Sequence, residues 1–127
     1  MKKPNSFSEF NDQRRRHLLA KYRESIARQS RIVAETAFRD AADSPAPRFW
    51  VSEERATEVI SKLLSNPALA DKMYDEKKKM YLEIYRRVKK LMAVYPNAPL
   101  NSIVFKVVNS EAPHSYMTWQ RAAQIIR

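Results

Sequence analysis

Glycine is absent from all 127 residues, where average usage would give about nine. Without it there is no P-loop and no dinucleotide fingerprint, because both need glycine for backbone to approach phosphate closely. A nucleophile elbow is excluded for the same reason, as are glycine-dependent hairpin turns and helix C-caps. Cysteine is also absent, which removes a disulfide framework and any thiolate metal site. Only two histidines occur, His17 and His114. Neither has a second ligand type at metal spacing. No apolar run approaches the length that spans a bilayer, and no apolar segment follows the opening lysines as a secretory signal would require. These absences predict a non-enzymatic cytoplasmic protein with no cofactor, no metal, no small-molecule substrate and no membrane partner.

Acidic residues are also scarce. Fourteen stand against 24 basic ones, a net charge of +10. Such an excess attracts polyanions. Nucleic acid is the expected partner, DNA ahead of RNA, and an acidic protein is the alternative. Hydrophobic content of 44% is enough for a packed core and excludes a disordered chain.

What is present is a repeat. Residues 42–61 (ADSPAPRFWVSEERATEVIS) return as residues 108–127 (VNSEAPHSYMTWQRAAQIIR), 66 positions later. Six of the twenty pairs are identical, including Ala46/Ala112, Pro47/Pro113, Arg55/Arg121 and Ile60/Ile126, where composition alone would give about one. Residues 10–23 echo residues 73–86 at an offset of 63. A repeat of this length implies two copies of one unit.

Proline divides each copy into helices. Ser6 and Glu9 read as a capping box, with a helix to about residue 28. A second helix is expected over 31–42, with Ile32, Val33, Ala37 and Phe38 inward. Pro45 and Pro47 must end it. Ser52 then caps a third helix, whose apolar face is Ala56, Val59, Ile60 and Leu63 and whose outer face offers Glu53, Glu54 and Glu58. In the second copy Asn66-Pro67 opens one long helix over 66–95. A further helix covers 100–109, and Thr118 caps the last. The expected fold is all-α: two tandem three-helix, helix-turn-helix-like repeats, 1–65 and 66–127. The extended pieces 48–51 and 114–117 could pair as a minor two-stranded ribbon.

Three features could meet a polyanion. Arg14, Arg15 and Arg16 in the first copy match Lys77, Lys78 and Lys79 in the second. At 100° per residue, Lys79, Arg86 and Lys90 lie opposite the Met80/Ile84/Val88 stripe, with Lys78 and Lys89 beside them. This stripe either tracks phosphates of a duplex or is simply the wet side of an amphipathic helix. The last helix offers Trp119, Gln120, Gln124 and Arg127, and glutamine can pair with adenine. Trp50 and Tyr116 are either core or a base-stacking platform. Arg55 and Arg121 either form ion pairs or touch phosphate.

The stretch APRFWVSEERA, residues 46–56, with its second copy, resembles uncharacterised small basic proteins of Bacteroidetes chromosomes and prophages. That resemblance implies a phage or mobile-element regulator or accessory protein and no particular activity.

Overall fold

A computed structural model of the chain describes residues 7–127. They form α1 (Phe7–Arg28), α2 (Ala34–Asp43), α3 (Glu53–Ser65), a 3-10 segment (Pro67–Lys72), α4 (Asp75–Val94), α5 (Leu100–Val108) and α6 (Trp119–Ile126). No strand occurs among the described residues, so the fold is all-α. Ser6, the expected cap of the first helix, lies outside them.

The helices divide into two compact units, and not into the consecutive halves 1–65 and 66–127. One unit holds α1 and α2, ending at Ala46, together with Ala112–Arg127 and hence α6. The other is the continuous segment Pro47–Glu111, with α3, the 3-10 segment, α4 and α5. Thus α2 packs on α1 and α6, whereas α3 packs on α4 and α5. A helix-turn-helix within one copy does not form, because its second and third helices belong to different units.

Backbone hydrogen bonds in the connectors account for this grouping. Ala46 and its equivalent Ala112 exchange N–H···O bonds of 2.9 and 2.8 Å as a single antiparallel bridge. Phe49 N donates to Val108 O at 2.9 Å, and 66 positions on Ser115 N donates to Ala42 O at the same length. Each connector is therefore tied to the end of the helix on which its third helix packs, α5 for α3 and α2 for α6. The expected ribbon over 48–51 and 114–117 is absent. Pairing stops at the bridge because Pro47 and Pro113 follow it and have no N–H to continue a ladder.

In the first unit Leu18, Phe38, Ala41, Ala123 and Ile126 form the core, with Tyr22, Met117 and Trp119 packed against it. The Tyr22 and Phe38 rings stack at 4.7 Å, and Trp119 lies 6.5 Å from Phe38. In the second unit the buried faces are Ala56, Val59, Ile60 and Leu63 of α3, Met80, Tyr81, Ile84 and Val88 of α4, and Ile103, Val104, Val107 and Val108 of α5. The α5 set lies 66 positions after Ala37, Phe38, Ala41 and Ala42, the buried set of α2. Ser52 Oγ accepts from Arg55 N at 3.1 Å, and Thr118 Oγ1 accepts from Arg121 N at 3.2 Å, so both expected caps form.

Several local expectations change. The long helix over 66–95 is two elements. Met73 and Tyr74 are both extended, and Asp75 and Glu76 then place carboxylates at the new positive helix end. Ile32 and Val33 precede α2 and are exposed, not inward. Phe49, Trp50 and Val51 are all buried, so Trp50 is core and no stacking platform. Tyr116 does not mirror it: its φ of 54° is left-handed, a conformation that costs a non-glycine residue about 1–2 kcal/mol.

Candidate nucleic-acid interface

The sequence-predicted residues fall into two groups, one in each unit. In the first unit Arg14, Arg15 and Arg16 lie on α1. Arg14 is half-buried over the Phe10 ring and donates through Nη2 to Asn11 Oδ1 at 3.2 Å. Burial first, and then the charge of Arg121, hold its pKa below the ordinary value. Arg15 Nη2 donates to Ile126 O at 3.0 Å, capping an open carbonyl at the end of α6. Arg16 is exposed. On α6, Gln120 and Gln124 are exposed, and Gln124 Oε1 accepts from Arg121 Nη1 at 3.3 Å. Arg127 lies over the Phe38 ring, 5.8 Å from its centroid. Trp119, expected on the reading face, instead packs on the core, with Arg39 over it at 5.6 Å.

In the second unit the exposed stripe of α4 is as expected, with Lys79, Arg86, Lys89 and Lys90 outward. Much of its charge is already answered. Lys78 reaches Asp71 at 3.4 Å and Lys79 reaches Glu76 at 3.5 Å. Arg86 grips Glu83 through Nε at 3.1 Å and Nη2 at 2.6 Å. Lys89 lies 5.3 Å from the Tyr85 centroid. Exposed pairs of this kind contribute at most about 1 kcal/mol each and yield to salt.

The second unit also carries a feature that spacing on one helix does not reveal. Arg86, Arg87 and Lys90 of α4 converge with Lys106 of α5 around a cleft of about 280 Å³, bounded also by Leu91, Val107 and Ser110. Arg87 is the fixed member. It donates through Nε to Glu83 at 2.7 Å and through Nη1 to Ser110 Oγ at 3.2 Å and Glu111 O at 2.7 Å. Its guanidinium lies 5.0 Å from the Phe49 centroid. The Arg86 hydrogen bond, followed by that of Arg87, lowers the Glu83 pKa against a desolvation effect that raises it. Lys90 and Lys106 have no carboxylate partner among the described residues.

Helix α3 differs from its expected role. Glu53 does not face solvent. It is 6% exposed, accepts from Asn109 Nδ2 at 3.1 Å and lies 3.9 Å from Arg48. Arg55 pairs with Glu58, the ion-pair reading of that residue. No cluster of three or more potential metal-ligating side chains occurs among the described residues. No helix there is long and apolar enough to cross a membrane.

Two groups make stability depend on pH. Burial, then the neighbouring Lys21, lowers the His17 pKa from 6.5, with Glu24 opposing. A depressed histidine is neutral in the folded state at pH values where the unfolded chain already takes up a proton. Stability therefore falls as pH drops from about 6.5 toward the folded value. Glu83, with its pKa below 4.5, contributes stability that is present above 4.5 and lost as pH falls through its folded value. Melting temperature should decline in two steps on acidification. His17→Gln should flatten the upper step and leave the acid one. An upper step unchanged in that variant would assign it to another group.

Compared with protein families, curated proteins and solved structures, the chain matches none of them.

Proposed function

We propose that this chain is a non-enzymatic nucleic-acid-binding protein whose principal contact is the α4–α5 cleft. The observation that carries this reading is the convergence of Arg86, Arg87, Lys90 and Lys106 on one concavity. The one carboxylate bound there, Glu83, is shared by the two arginines. Four cations facing one carboxylate leave a local excess that a phosphate would neutralise. The outer stripe of α4 and the α1/α6 arginines add a general attraction, and the exposed Gln120, with the amide Nε2 of Gln124, stands available for base contacts. The two copies are read as a duplication in which the third helices have exchanged places.

A protein-partner reading has its own support. Tyr74, Val94, Tyr95 and Phe105 are exposed apolar side chains of the second unit. Binding measured across a salt series separates the two. The double variant Lys90→Ala, Lys106→Ala should leave folding nearly intact, because surface changes usually cost within about 0.5 kcal/mol each. It should weaken binding to all sequences and reduce the salt slope by up to about two. A slope unchanged by the double variant, or retention on heparin equal to that on DNA and RNA, would reject the cleft as a nucleic-acid contact.

A further inference from the structure

We infer that the α4–α5 cleft takes one nucleotide of an unpaired strand, with its phosphate between Lys90 and Lys106 and its sugar and base against Leu91, over the floor that Val107 closes. This rests on the nucleic-acid reading and deepens it, replacing the duplex expected from the charge stripe alone. The lining is what separates the two. A site for phosphate alone needs cations and bound water. Here the cationic side chains stand with the apolar Leu91 and the buried Val107. A duplex offers such a surface little, because its bases are stacked inside and its phosphates form a convex ridge. An unpaired strand can turn a sugar and base outward, leaving both an anionic and an apolar part to be matched.

Size sets the stoichiometry. At about 280 Å³ the cleft falls just below the range of about 300–1,000 Å³ typical of small-molecule pockets. A cleft of this size has room for no more than one nucleotide, and the rest of the strand lies outside it. Selectivity among bases should be slight. No aromatic ring lines the cleft, and the Ser110 hydroxyl already donates to Val107 O at 2.6 Å while accepting from Arg87. A hydroxyl committed in this way has no proton left to donate to a base edge and keeps only one acceptor site.

The test compares a fluorescent single strand of mixed sequence with the duplex of the same length, under identical salt, by anisotropy. The single strand should bind at least about tenfold more tightly. Leu91→Gln should bring the two near parity, whereas Lys90→Ala with Lys106→Ala should weaken both. A nucleoside monophosphate should displace the strand from the wild-type protein where inorganic phosphate at equal ionic strength does not. This competition decides the matter if Leu91→Gln fails to fold. Equal affinity for strand and duplex, with no effect of the monophosphate, overturns the inference and leaves nucleic-acid binding standing. Failure to bind either above the heparin background overturns the underlying reading as well.

Discussion

Residues 47–111 expressed alone should fold into a helical unit that melts cooperatively, whereas 1–65 and 66–127 should each fail to fold as a monomer. The continuous segment contains all of α3, α4 and α5 and their mutual contacts. A cut between residues 65 and 66 separates α3 from the helices it packs on and separates α6 from α1 and α2. Val59, Ile60 and Leu63 would all lose their shelter. At about 1.5–3 kcal/mol per buried aliphatic side chain, that loss is comparable with the whole stability of about 5–15 kcal/mol expected for a small protein. Equimolar mixing of 1–65 with 66–127 should restore helicity, because each fragment carries the helix the other lacks. Circular dichroism melts of the three fragments and the mixture provide the measurement. Cooperative monomeric folding of 1–65 alone would show that its helices can be grouped in chain order after all.

The repeat was legible because it survives at the positions that do structural work. Ser52 and Thr118 both cap, and the α2 and α5 burial patterns coincide at the 66-residue offset. Which unit receives each third helix was not legible, and the repeat itself is the reason. Ala56 and Ile60 are identical to Ala122 and Ile126, so the same apolar face fits either pair of partners. The choice depends on where the connectors make their hydrogen bonds, and those bonds join residues 59 to 73 positions apart. Helix-face reasoning found the outward stripe of α4 but missed Arg87 and Lys106. Arg87 is held by Ser110 and Glu111, and Lys106 meets the cleft only once α5 packs on α4. The break at Met73 and Tyr74 did have a local signal, since Asp75 and Glu76 suit a helix start. The steady apolar spacing on both sides obscured it.

Replacing Arg48 should cost about 3–5 kcal/mol of stability, the usual cost of breaking a buried ion pair by removing one partner. Arg48 and Glu53 are both buried, with their charged groups 3.9 Å apart. Arg48 also donates from Nε to Phe49 O at 2.9 Å and from Nη2 to Val51 O at 2.6 Å. Burial pushes its pKa down, and Glu53 opposes that shift. Arg48→Met therefore leaves the buried Glu53 charge without its counter-ion and takes one hydrogen bond each from Phe49 O, which keeps its bond from Val51 N, and Val51 O. Arg48→Lys should recover little, because one ammonium cannot reproduce the planar fork that reaches both carbonyls. Glu53→Gln should be milder, since its side-chain oxygen can still accept from Asn109. The second copy has His114 and Trp119 at the equivalent positions, so the repeat does not carry the charge pair in both copies. The double variant Arg48→Met, Glu53→Leu should consequently lose less stability than the two single changes added together, because it removes the stranded carboxylate. Chemical denaturation of the three variants measures that coupling. A double variant that costs the full sum would mean that Arg48 acts through its carbonyl bonds alone and that Glu53 is not its electrostatic partner.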